Sequence, residues 1–138
     1  MTLDKIVAIT GKPGLYKIVS QTKGGLLVQS LIDNKRIPVN TMHNISVLND
    51  IAIYTYDDEI PLRNIFKIIG EKQSNAEALH HKESNDKLIT FFKEVLPDYD
   101  EERVYTSNIK KVVQWYNILA SIKFDFSSIT EGNEEEEE

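Results

Sequence analysis

Two hydrophobic periods divide this chain, and the change between them constrains the fold more than any other feature. From Leu15 to Thr55 the apolar residues come in short runs, each closed by a turn signal. From Asp57 to Ile122 they recur three or four residues apart, the spacing of an amphipathic helix. A strand-rich part followed by a helix-rich part points to an α+β protein.

In the strand-rich part, "LYKIVSQ" (15–21) alternates, with Tyr16 and Ile18 on one face and Leu15 and Val19 on the other. "TKGG" (22–25) reads as a turn, "LLVQSLI" (26–32) as a second strand and "DNK" (33–35) as a second turn. "RIPVN" (36–40) is a short third strand whose Pro38 suits an edge or a bulge, because proline donates no ladder hydrogen bond. "ISVL" (45–48) and "IAIYT" (51–55) complete five expected strands. Strands this short cannot bury two faces as a flat sheet, so a small closed SH3-like β-barrel is expected over residues 1–56. The segment 1–10 fits a short helix capped by Thr2 and stopped by Gly11, with a strand as the competing reading.

The helix-rich part opens with "DDEIPLRNIFKIIG" (57–70), where Pro61 suits a first turn and Leu62, Ile65, Phe66 and Ile69 share one face. Residues 71–84 are polar and aperiodic and read as a linker. "NDKLITFFKEVL" (85–96) carries a strong apolar stripe that Pro97 ends, and "SNIKKVVQWYNILASI" (107–122) forms the last helix. Trp115 and Tyr116 are expected to be largely buried. The expected division is a barrel at 1–56, a helix and linker at 57–83, a helical subdomain at 84–130 and a disordered acidic tail at 131–138.

The stretches "GKPGLY", "VLNDIAIYT" and "LPDYDEERVYTSNIKKVVQWYNIL", with the first hairpin, resemble a family of small uncharacterised bacterial proteins, a domain of unknown function. The resemblance covers most of residues 1–122. It implies a self-contained fold and carries no activity, cofactor or site.

Read for chemistry, the residues offer little. There is no cysteine, which removes thiolate nucleophiles and cysteine-held zinc and suits a reducing compartment such as the cytoplasm. No run approaches the roughly 20 apolar residues of a membrane span. Asp98, Asp100 and Glu102 alternate as in a calcium loop, but Arg103 and Ile109 stand where that loop needs glycine and a bidentate carboxylate. They read instead as the acidic lead into a helix capped by Thr106 or Ser107, with Arg103 paired to Asp98 or Asp100. "GKPG" (11–14) lacks the length and Lys-Ser/Thr ending of a phosphate loop. His80 and His81 lie near Glu77, Glu83 and Asp86, but only one E-x-x-H pair exists, and His43 is isolated. No catalytic, cofactor or metal constellation is expected.

Charge is uneven. Residues 1–56 carry a formal +3, from Lys5, Lys12, Lys17, Lys23, Lys35 and Arg36 against three aspartates, whereas 131–138 carry −6. The expected function is a non-enzymatic binding or adaptor module for a protein partner. The alternative is a nucleic-acid-binding regulatory protein using the basic barrel, with the acidic tail as a competitor. Candidate ligand-binding residues are Tyr16, Lys17, Lys23, Lys35, Arg36 and Tyr54, with Tyr56 a further ring able to stack. Alternation already sets Lys17 and Tyr16 on opposite faces of one strand.

Overall fold

A computed structural model of the chain describes residues 3–12, 14–40, 45–74, 76–124 and 126. The expected acidic tail, His43 and Pro13 of the "GKPG" turn lie outside the described residues. The chain forms two compact units, Met1–Ile51 and Ala52–Glu138. Among the described residues no helix is long and apolar enough to cross a membrane.

The first unit is a five-stranded antiparallel sheet. After a 3-10 turn at Leu3–Lys5 come β1 (Ile6–Ile9), β2 (Tyr16–Thr22), β3 (Gly25–Ser30), β4 (Arg36–Asn40) and β5 (Ile45–Val47), in the order β4-β3-β2-β1-β5. Of the two readings of the N-terminal segment, the strand is the one found, after a single 3-10 turn. Ile6, Val7 and Ile9 are all buried, so a run dense in β-branched residues serves better between two neighbouring strands than as one helical turn. The described pairings run from β4 to β5 as an open series.

One face of this sheet is its core. Val7, Ile9, Val28 and Val39 are buried there, with Tyr16, Ile18, Leu26, Ile37, Ile45 and Val47 packed against them. Alternation along each strand produces this face directly. The register shifts between Ile18 and Ser20, a bulge that changes the side-chain parity of β2 toward its end. At Gly25 a Cβ would collide with the Val39 carbonyl, so β3 and β4 approach there only because the side chain is hydrogen.

The second unit begins with a hairpin, β6 (Ala52–Tyr54) and β7 (Glu59–Pro61), followed by α1 (Leu62–Gln73), α2 (Asn85–Val95) and α3 (Thr106–Ser121). The strand expected at 51–55 thus pairs with Glu59–Pro61 and not with the five-stranded sheet, where β1 supplies the fifth strand. The helix expected from residue 57 starts at Leu62, because the carboxylate-rich lead is the hairpin's turn and second strand. Gly70 does not end α1. It is buried within the helix, which closes at Ser74 in the left-handed region (φ 54°), whose N–H donates to the Gly70 carbonyl.

Helix α2 is capped by the Ser84 hydroxyl, which accepts from Lys87 N. The N-cap position of α3 is Tyr105, not Thr106 or Ser107, and its N–H donates to Asn108 Oδ1 at 2.8 Å. Phe66, Phe92, Ile109, Val113, Tyr116 and Phe126 are fully buried in the core of this unit, with the Tyr116 ring stacked on Phe126 at 4.6 Å. Trp115 departs from expectation. It lies one residue, about 100° of helix, from Tyr116 and is only half-buried. Residues 76–79 of the expected linker are tied down: Tyr116 donates its hydroxyl to the Ala76 carbonyl, and Asn117 bonds both Ala78 N and the Leu79 carbonyl.

Candidate functional site

The hairpin β6–β7 and the corner between α2 and α3 build one surface. Exposure alternates along β6 and the two residues after it: Ile53 and Thr55 are buried, while Ala52, Tyr54 and Tyr56 are exposed. Thr55 closes the turn. Its N–H donates to the Asp58 carbonyl at 2.7 Å, and its hydroxyl both donates to that carbonyl and accepts from Asp58 N. Asp58 Oδ1 in turn accepts from Glu59 N at 2.7 Å. The turn that follows Tyr54 is thereby closed by backbone and side-chain hydrogen bonds.

On the other side of β6 runs the corner that follows Pro97. Thr55 bridges Tyr99 in antiparallel sense, Tyr56 N donates to the Asp98 carbonyl and Asp100 N donates to the Tyr54 carbonyl. Tyr99 is the inward anchor of this segment: it is buried and meets Phe92 edge-on at 5.0 Å. Burial, reinforced by the charge of Glu101, pushes its phenol above the usual range.

Asp100 organises the turn itself. Its carbonyl accepts from the N–H groups of Arg103 and Val104, its Oδ1 accepts from Glu102 N, and its Oδ2 lies 3.5 Å from Arg103 Nε. Held this way, the Arg103 guanidinium stands 5.1 Å from the centroid of the Tyr54 ring, a cation–π arrangement. The acidic run is therefore an architectural corner that also delivers an arginine to an exposed tyrosine. Around it Asp57, Asp58, Glu59, Asp98, Glu101 and Glu102 are exposed, as is Tyr105 at the start of α3. Glu101 is paired with Lys93 at 3.5 Å.

The residues singled out from sequence are divided by this geometry. Lys17, Gln29 and Arg36 are directly opposed across β2, β3 and β4, so they share one face of the first sheet. Gln29 Oε1 accepts from Arg36 Nε at 3.0 Å. Lys35 is exposed beside them in the β3–β4 turn, where its N–H donates to Asp33 Oδ1, a bond that holds the Asp33 carboxyl below its usual range. Lys23 lies in the β2–β3 turn, at the opposite end of that hairpin. Tyr16 packs on the core face, away from the cations. Tyr54 belongs to the second unit.

Arg103 was legible only as a surface ion pair. Its stacking on Tyr54 needed the corner to fold back along β6.

Comparisons with known proteins bear on the whole chain. A family model described as a domain of unknown function (DUF6852) matches residues 51–119, and a second, also a domain of unknown function (DUF5606), matches residues 3–48. A structural-genomics solution NMR structure from Bacteroides vulgatus is 37% identical, covers 96% of this chain and 98% of its own, and superposes with a TM-score of 0.75. No curated protein matches the chain.

Proposed function

This chain belongs to the DUF6852 family, and we propose that it is a non-enzymatic binding or adaptor module whose partner is a protein, engaged through the Tyr54–Tyr56 face of the second unit. The observation that carries the reading is the exposure of two rings beside a hydrogen-bonded turn. Tyr54, the last residue of β6, is 40% exposed and Tyr56, in the bend that follows, is 62% exposed, although Ile53 and Thr55 beside them are buried. Tyrosine and arginine supply much of the binding energy at protein interfaces, because they offer large contact area for little conformational entropy. The reading places the module in the cytoplasm, in keeping with the absence of cysteine. It also retains an SH3-like curl for the first unit, supported by a strand order in which β1 lies between β2 and β5.

Nucleic-acid binding is the second reading, and the shared face of Lys17 and Arg36 favours it. It ranks lower because Tyr16, the aromatic beside those cations in sequence, packs on the opposite face of the sheet.

Affinity capture with the full chain, Tyr54→Ala/Tyr56→Ala and Lys17→Glu/Arg36→Glu as parallel baits tests the order. The expected result is a protein retained by the parent and the charge-reversed variant and lost with the tyrosine variant. Retention by the tyrosine variant would remove the proposed face. Nuclease-sensitive capture lost only with Lys17→Glu/Arg36→Glu would put the second reading first.

A further inference from the structure

The link between α1 and α2 turns at residues 80–83, where the Glu83 N–H donates to the His80 carbonyl at 3.0 Å. The imidazole rings of His80 and His81 stack there, with centroids 4.5 Å apart and planes 22° from parallel. His80 is also an acceptor. Its Nδ1 takes the backbone N–H of Lys82 at 3.0 Å, so that nitrogen carries a lone pair and no proton. His81 is half-buried, and burial, together with the positive charges of His80, Lys82 and Lys110 of α3, holds its imidazole below the usual range. The carboxylates of this segment are Glu77 and Asp86, exposed on either side of the turn, and Glu83, paired with Lys87 at 3.5 Å. Among the described residues none of them acts on His81 to offset those cations. Both flanks of the turn are fixed by groups that keep their charge near neutrality. Tyr116 and Asn117 hold Ala76, Ala78 and Leu79, and the Ser84 hydroxyl caps α2.

We infer that residues 80–83 form an acid-sensitive latch, closed while the stacked imidazoles are neutral and opened locally when they are protonated, with both flanks still anchored. A proton on His80 Nδ1 removes the acceptor of the Lys82 N–H and sets two donors against each other. A proton on His81 as well sets two like charges 4.5 Å apart, and Lys82 and Lys110 add to the same sign. The open turn therefore binds protons more readily than the closed one. The stability of the closed turn is complete above the ordinary histidine value of about 6.5 and is lost as pH falls through the lower value that the closed turn imposes. Carboxylates stay ionised over that window, so the histidines alone supply the change of charge. The latch is separate from the binding face at Tyr54 and holds whatever partner that face takes.

The test is an NMR pH titration of the isotopically labelled full chain from about pH 7.5 to about pH 5.5, following the imidazole nitrogens and amide hydrogen exchange. His80 Nδ1 should be unprotonated at the upper end. The protection of the Lys82 amide, corrected for the intrinsic pH dependence of exchange, should fall about ten-fold across the range, because one proton taken up below about pH 6.5 shifts the opening equilibrium ten-fold per pH unit. The Ala78 amide, held by Asn117, should keep its protection. His80→Asn, whose Oδ1 can accept from Lys82 N and takes up no proton, should keep the turn closed throughout, whereas His80→Ala should leave it open at both ends. A protonated Nδ1 at pH 7.5, or Lys82 protection that does not change in the parent, would overturn the inference. A pH-dependent loss that persists in His80→Asn would assign the effect to other groups and overturn it too. Loss at Ala78 in step with Lys82 would replace the local latch by a wider unfolding.

Discussion

The β2 strand of the first sheet and the β6 strand of the hairpin carry similar residues and use them in opposite ways. In β2 the ring of Tyr16 packs into the sheet's core face while Lys17, one residue later, joins Gln29 and Arg36 on the other face. In β6 and just after it, Ile53 and Thr55 are buried while Tyr54 and Tyr56 are exposed, and an arginine from a distant turn lies on the Tyr54 ring. An aromatic ring and a cation can act on one ligand only when the strand's parity sets them on the same side. The hairpin meets that condition and the sheet does not, although the sheet holds more of the positive charge. A ring-and-cation surface is therefore found in the second unit and not in the basic one.

If inward rings serve the fold and outward rings are dispensable to it, Phe92→Ala should have the largest effect. It empties a fully buried site against Tyr99 and should cost about 3–5 kcal/mol in urea unfolding. A small loss there would mean that the corner does not depend on the Phe92–Tyr99 contact to hold β6 in place. On the sheet side, Gly25→Ala should cost about 1–3 kcal/mol, because the new methyl meets the Val39 backbone, which has little room to move. A neutral result would show that β3 and β4 separate easily at that end.

Tyr116→Phe sharpens the contrast between tyrosines. Removing the hydroxyl that donates to the Ala76 carbonyl at 2.7 Å should cost about 1 kcal/mol. Burial pushes the Tyr116 phenol up to about 12, above the value of about 10 expected in the unfolded chain. The folded protein therefore holds this proton more tightly than the unfolded one. The corresponding stability is complete below about pH 10 and falls as pH rises toward 12. Tyr116→Phe should flatten that part of the stability profile, and an unchanged slope would assign it to other groups. The smallest effect belongs to the outward rings: Tyr54→Ala/Tyr56→Ala should shift stability by no more than about 0.5 kcal/mol for each residue. A loss on the scale of Phe92→Ala would erase the distinction and make these tyrosines part of the core.

Much of the local structure followed from residue order alone. Alternation separated Tyr16 from Lys17, apolar spacing placed the three helices, and Pro97 marked the end of the second, because these depend on near neighbours and on the geometry of a single element. The two-part character of an α+β chain was legible for the same reason. What the tertiary structure decided were the long-range pairings. Ile6–Ile9 became the strand between β2 and β5, and Ala52–Tyr54 left the sheet to pair with Glu59–Pro61. Either run satisfies a strand's local requirements, and its partner is chosen by burial against residues far away in sequence. The same holds for Arg103. Its local environment offered an ion pair worth about 0–1 kcal/mol. Only the antiparallel approach of Tyr99 to Thr55 carries the guanidinium to the Tyr54 ring. Residue order thus set Tyr16 and Lys17 on opposite faces, and the fold determined which cation meets Tyr54, because parity is a property of one strand and proximity a property of two.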